Sequence, residues 1–260
     1  MARQRRPKEP LPPPLPPETR PVGQLIAEAI RLYGHRFWAA LAIGIPIGIF
    51  GALTNNLHGR DYLFFALVPG AVLITLTYVA AAVIAADRPV PRRRLVVAFA
   101  AGLIVFIPFP ILVMGYVLPA IAWLALIGLA VPAAVIEGTG VFASLKRGLE
   151  LGRADYIHSL GGMAALGISF YLSTRVLALA LNAGSGQAAE IARPLAEGAL
   201  WPVVVFGASL LYFDQAARVE SGGPRSRRKR NADLHHADEP DRPGRADAEG
   251  EPRPAAGGQS

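Results

Sequence analysis

The sequence predicts an all-α polytopic membrane bundle of about six transmembrane helices plus two amphipathic interfacial helices. Three observations carry this. Apolar residues make up 52% of the 260-residue chain and the mean hydropathy is +0.36, high for a water-soluble domain. Charged residues crowd into 1–36, 87–94, 137–155 and 214–260. The stretches between these clusters are nearly charge-free for 18 residues or more, the length a helix needs to cross about 30 Å of hydrocarbon.

Residues 1–21 (MARQRRPKEPLPPPLPPETRP) read as a disordered basic tail with a polyproline stretch, a semi-rigid spacer. The first 36 residues contain no short apolar core with a small-residue cleavage site, so no cleavable signal is expected there. In 22–36, Leu25, Ile26, Ala29, Ile30 and Tyr33 recur at helical spacing, which predicts an amphipathic helix at the interface. Phe37 and Trp38 follow where an aromatic belt belongs.

The expected spans are 37–54, 62–86, 95–114, 117–136, 157–176 and 195–213. The first carries Pro46 and a Gly44–Gly48 pair that permits close helix approach. Residues 95–136 hold no charge at all. A straight helix over that run would be about 60 Å long at 1.5 Å per residue, too long for a bilayer. It must divide in two, with Pro108 and Pro110 bending the first half and Gly115 with Pro119 marking the turn. Residues 137–156 are again amphipathic, with Phe142, Leu145, Leu149 and Gly152 expected on the apolar side. IAEAIRLYGHRFW (26–38) resembles LKRGLELGRADY (145–156): Ile26, Ile30, Leu32 and Gly34 align with Leu145, Leu149, Leu151 and Gly152 as a weak internal repeat. From Asp214 the composition is that of a disordered charged tail, giving a domain of 22–216 and a tail of 217–260.

Every Lys and Arg except Arg60, Arg175 and Arg193 falls on one side of these six spans. Basic residues near span ends stay in the cytoplasm, so both termini are expected there. The net charge of +7 and the run RSRRKR (225–230) are then read as topology determinants and contacts to anionic lipid headgroups, not as a nucleic-acid surface. Helix-mediated self-association or association with another membrane protein is compatible with the small-residue faces.

PAAVIEGTGVFASLKRGLELGRADY (132–156) resembles a segment of the membrane-domain family associated with glycerophosphoryl diester phosphodiesterases, in which a proline and a glutamate precede a basic elbow helix. The positions that carry it are Pro132, Glu137, Leu145, Arg147, Leu151 and Gly152. LLYFD (210–214) with Arg218 is similar to the close of such domains, and LIAEAIRLYGHRFW to their opening, so the likeness extends over about 22–220. Gly148–Leu149 and GRADY depart from the family's usual serine–tryptophan pair and longer glycine–arginine–aromatic ending. The resemblance implies a six-helix domain in a bacterial cell membrane. It does not imply phosphodiesterase activity, because the catalytic part of those enzymes is a separate barrel of about 250 residues.

Catalytic signatures are absent. There is no cysteine, which excludes disulfides, thiolate metal sites and cysteine nucleophiles. No HExxH, dinucleotide fingerprint or phosphate loop occurs, so neither cofactor nor metal is expected. Gly207–Ala208–Ser209 approaches a serine-nucleophile elbow, but Leu210 stands where the second glycine should. His235–His236 are two imidazoles in the tail, too few for a metal site. No Asp, Glu, Lys or His is expected deep within a span, where such a group would mark function. Arg175 is the exception: it either lines a cavity for an anionic ligand or snorkels to the outer interface and pairs with Glu190 or Glu197. Glu137 is expected at the inner end of the fourth span, as a cap or a contact to Lys146 or Arg147. The overall expectation is a non-enzymatic membrane scaffold or accessory component. The alternative is a transporter or lipid-handling protein with an interhelical cavity.

Overall fold

The computed structural model describes residues 20–181 and 186–220. The expectations for the polyproline tail, RSRRKR and His235–His236 lie outside the described residues. Within them the chain is helical, in the order α1 (Val22–His35), α2 (Phe37–Thr54), α3 (Gly59–Phe65), a five-residue π segment (Ala66–Gly70), α4 (Ala71–Ala86), α5 (Arg92–Phe106), α6 (Phe109–Gly115), α7 (Val117–Ile127), α8 (Ala130–Glu137), α9 (Val141–Ala154), α10 (Tyr156–Leu181) and α11 (Gly186–Glu220). Six segments are long and apolar enough to cross a membrane: Phe37–Thr54, Gly59–Ala86, Arg92–Gly115, Val117–Glu137, Tyr156–Ala180 and Ile191–Glu220.

Prolines explain how the spans are subdivided. Pro69 sits inside the π segment, where the missing N–H and the ring force the extra residue into the turn. Pro108 and Pro110 end α5 and start α6, and the indole of Trp123 donates to the Val105 carbonyl at that break (2.8 Å). A carbonyl freed at membrane depth has no water to turn to, so the neighbouring helix supplies the donor. Tyr116, extended at φ −157° and ψ 136°, makes the turn between the third and fourth spans. Pro119 and Pro132 both occupy first-turn positions, in α7 and α8, where an N–H would be an orphan anyway.

The most extensive contact is between α2 and α11. Gly44 and Gly48 face Gly198, so that a Cβ at Gly44 would collide with the Gly198 carbonyl oxygen and one at Gly48 would lie 2.8 Å from the Pro194 carbonyl oxygen. Lipid tails are as apolar as leucine, so the hydrophobic effect gives no drive for helices to pair inside the bilayer. Backbone-to-backbone approach, with its dense dispersion contacts, supplies it instead. At the centre lies α8, whose residues 130–135 are all buried against α4, α5 and α9.

Both amphipathic helices form, but the apolar face of α9 differs from the expected one. Its buried residues are Ser144, Gly148, Leu151 and Gly152; Leu145 and Leu149 are half-buried and Phe142 is 84% exposed. Side-chain size is the reason. Gly148 and Gly152 press against the backbone of Ala130 and of Ala125–Leu126 at distances no Cβ could tolerate, so the small residues define the inward face. The proposed repeat diverges at the same point, since Gly34 in α1 has open space around it while Gly152 is clamped. The last span also differs: α11 continues through Glu220, some seven residues beyond the expected limit at Phe213, and Arg218 belongs to the helical domain instead of a disordered tail. Across the junction, Arg20 and Arg218 adjoin, so the two ends of the described domain share one face.

Replacing Gly44 by leucine should unseat α2 from α11, because the obstacle is rigid backbone. A loss of about 1–3 kcal/mol or more is expected. Unfolding in mild detergent, compared with Gly34→Leu in open space, checks it.

Candidate functional site

Polar side chains gather at two places. One is the arginine-rich end of the bundle. Glu137, the last residue of α8, accepts from Arg147 Nε on α9 and from the Tyr212 hydroxyl on α11, both at 2.8 Å. The Glu137 hydrogen bond raises the Arg147 guanidinium above its ordinary pKa, so this cation stays charged throughout the accessible range. Nearby, Arg94 (3.1 Å) and Arg88 donate to the Ile136 carbonyl and cap the end of α8. Of the elbow residues, Pro132 is buried in α8, Leu145 is packed at the edge of the core, Gly152 is clamped on α7, and Glu137 and Arg147 are joined directly.

A second network closes the chain on itself. Arg218, near the end of α11, donates to Asp155 between α9 and α10 (2.7 Å) and to the Arg20 carbonyl (3.3 Å). Arg20 in turn pairs with the fully buried Asp214 (3.0 Å). Gln215 donates to the Asp155 carbonyl at 3.3 Å. Sequence reasoning placed Asp214 and Arg218 in the tail and expected no acid within a span. A signal was there to read: Leu211, Asp214, Gln215 and Arg218 continue the i, i+3/i+4 rhythm of one helix face past the end of the apolar run. The arrangement couples ends of four helices. It contains no nucleophile paired with a base, and among the described residues no group of His, Cys, Asp and Glu could hold a metal ion.

The other place is a pair of adjoining cavities. The first, about 550 Å³, opens among the π-interrupted second span, α5–α7, α10 and α11 and is walled by apolar and aromatic residues including Phe106, Phe109, Leu166, Phe170 and Trp201. The second, about 540 Å³, lies toward the end opposite the arginine-rich face and is mixed: Thr54, Asn55, His58, Arg193 and Glu197 line it together with apolar residues such as Ile47 and Phe50. Ile74, Phe170 and Trp201 line both. Trp201 is held at this divide by edge-to-face contact with Phe170 (5.9 Å) and by its indole N–H on Thr77 Oγ1 (3.1 Å), which itself donates to the Ile74 carbonyl.

Arg175 belongs to neither wall. It is exposed on an α10 that runs unbroken to Leu181, with its guanidinium 5.2 Å from the Tyr171 ring centroid. Glu197, one of its two expected partners, is instead engaged by Arg193 at 2.7 Å, one helical turn away on α11, where intrahelical spacing favours the pair. Sequence reasoning singled out Arg175 because it interrupts an apolar run. It passed over Arg193 because that residue stands in a polar stretch.

Removing Arg218 as Arg218→Met should cost about 1–3 kcal/mol, since it takes a charge-assisted hydrogen bond from the half-buried Asp155 carboxylate. Adding Asp155→Asn should recover part of that loss, a coupling that a double-mutant cycle of unfolding in detergent would measure.

No family model matches the chain, and no curated protein or solved structure matches it either.

Proposed function

We propose that this membrane protein handles a lipid: it holds one apolar chain of an amphiphile in the cavity between its helices, with the polar group in the adjoining pocket. The observation that supports this is the partition of the two cavities. An apolar space of about 550 Å³ falls within the usual size of ligand sites. A bundle acting only as a scaffold has no need of such a space, and close packing would remove its cost. The apolar chamber draws in a chain only weakly, because leaving lipid for an apolar wall gains no hydrophobic free energy. Selection therefore rests on the polar end, where Arg193, His58 and Asn55 can meet a headgroup. The guanidinium of Arg193 is oriented by Glu197 and suits a carboxylate or phosphate oxygen. The reading is therefore binding or transfer of an amphiphile.

In the same reading the arginine-rich end faces the cytoplasm of a bacterial cell, with both ends of the domain inside, and the polar pocket faces outward. The lysine and arginine bias supports this orientation. A reporter fused after Glu220 should fluoresce as green fluorescent protein and be inactive as alkaline phosphatase; the reverse result would invert the assignment.

Gly167 lines the apolar chamber, and a Cβ there meets nothing within 4 Å, so the position accepts a larger side chain. Gly167→Phe should leave thermal unfolding in detergent nearly unchanged and weaken binding of a fluorescent fatty acid by about tenfold or more. Arg193→Gln should weaken it several-fold without displacing the chain. Undiminished binding in Gly167→Phe would sink the lipid-handling reading.

A further inference from the structure

One buried group in the apolar chamber is unexplained by chain binding alone. Tyr78 lines this chamber, is 2% exposed, and its hydroxyl has no hydrogen-bonding partner among the described residues. The ring is fixed edge-to-face against Phe106 (5.7 Å), so it is not free to swing toward a distant acceptor. A hydroxyl left unpaired at membrane depth is costly, and phenylalanine would pack the same space without that cost. Its presence in an apolar wall points to a partner that arrives with the ligand.

We infer that Tyr78 is a ligand-recognising residue whose hydroxyl hydrogen-bonds an uncharged oxygen carried on the apolar part of the bound amphiphile. This rests on the lipid-handling reading and narrows it. The chamber's lining includes no charged side chain, so a carboxylate or phosphate is not accommodated there. A ketone, ester carbonyl, ether or quinone oxygen is. Position along the helix adds a second constraint. Ile74 stands at the divide between the two chambers, and Tyr78 lies one turn further along α4, about 6 Å toward the arginine-rich end. The ligand oxygen therefore sits inside the apolar portion, separated from the headgroup by the thickness of the Trp201–Phe170–Ile74 divide. An unmodified saturated chain leaves the tyrosine unpaired; a chain or ring bearing one internal oxygen satisfies it.

The test uses the full-length protein in mild detergent, with a fluorescent fatty acid displaced by stearate and by three oxostearates. Their ketones lie near the carboxylate, at mid-chain and near the methyl end. These probes share length and headgroup and differ only in the uncharged oxygen. The wild-type protein should prefer one oxo isomer over stearate by about three- to tenfold, the worth of one neutral hydrogen bond. Tyr78→Phe should erase that preference while retaining stearate binding, and its ligand-free form should unfold at a higher temperature than the wild type, because an unpaired hydroxyl has been removed. A structural role for the hydroxyl would lower that temperature instead. Equal affinity of the wild type for stearate and all three isomers would overturn the assignment of Tyr78 and leave the lipid reading standing. So would a preference that survives in Tyr78→Phe. Failure of stearate to displace the fluorescent acid at all would remove the lipid reading and, with it, this inference. A quinone with a decyl side chain, run in parallel, distinguishes a ring carbonyl from a chain ketone as the preferred source of the oxygen.

Discussion

The whole architecture depends on backbone touching backbone. Within a bilayer, leucine against leucine is no better than leucine against lipid, so helices stay together where they approach closely enough for dispersion to dominate. Gly44 and Gly48 on Gly198 bring α2 to α11, and Gly148 and Gly152 bring α9 to α7 and α8. The apolar chamber lies among five spans, and its lining mixes aromatic side chains such as Phe106, Phe109 and Trp201 with small ones such as Ala120, Gly128 and Gly167. The tight contacts are made where glycines on one helix meet the backbone of another.

Much of this was legible in the sequence. The number of spans followed from the spacing of charge clusters, and the division of residues 95–136 followed from bilayer thickness. The turn fell between Gly115 and Pro119, at Tyr116. What sequence reasoning missed has a common physical origin. Hydropathy rewards large apolar residues, so it assigned Phe142 to the inner face of α9 and gave no weight to Gly148. It also ended the last span where apolar residues stop, at Phe213, although a helix can go on past the hydrocarbon if a neighbouring segment satisfies its polar face. Asp214, Gln215 and Arg218 are polar and buried because α1 and the α9–α10 junction cover them. A cover contributed by residues some 60 and 194 positions away cannot be seen in a local window. The candidate site suffered similarly. Arg175 stands out in a linear reading by contrast with its neighbours, whereas the walls of the chamber are assembled from five spans, and none of those residues is unusual where it stands.

The polar groups divide between the ends according to what each end must do. The arginine-rich end is tied by internal bonds: Glu137 is held by two helices, Asp155 and Asp214 are each met by an arginine, and the α8 carbonyl terminus is capped from α5 and the loop before it. Such a network fixes helix ends relative to one another, and its loss is expensive because each charge is left without compensation. The opposite end is looser. Among the described residues its pocket contains the ion pair Arg193–Glu197, formed along one helix and therefore free to move with it. Rigidity at one face and an accessible pocket at the other suit a body that receives a molecule from one side.

The link between Arg20 and Asp214 has a consequence for how the protein is made. Its two partners are 194 residues apart, and α1 has its largest interface with α11. During synthesis the first amphipathic helix emerges long before its partner exists, and can do no more than rest on the membrane surface. Each span can insert as it leaves the ribosome, yet the bundle acquires its closing contacts only when the last helix has been threaded. A truncated chain would then be inserted but open, with its first helix undocked and its inner surfaces exposed to lipid and to proteases of the membrane. The final helix thus supplies the contacts that close the domain.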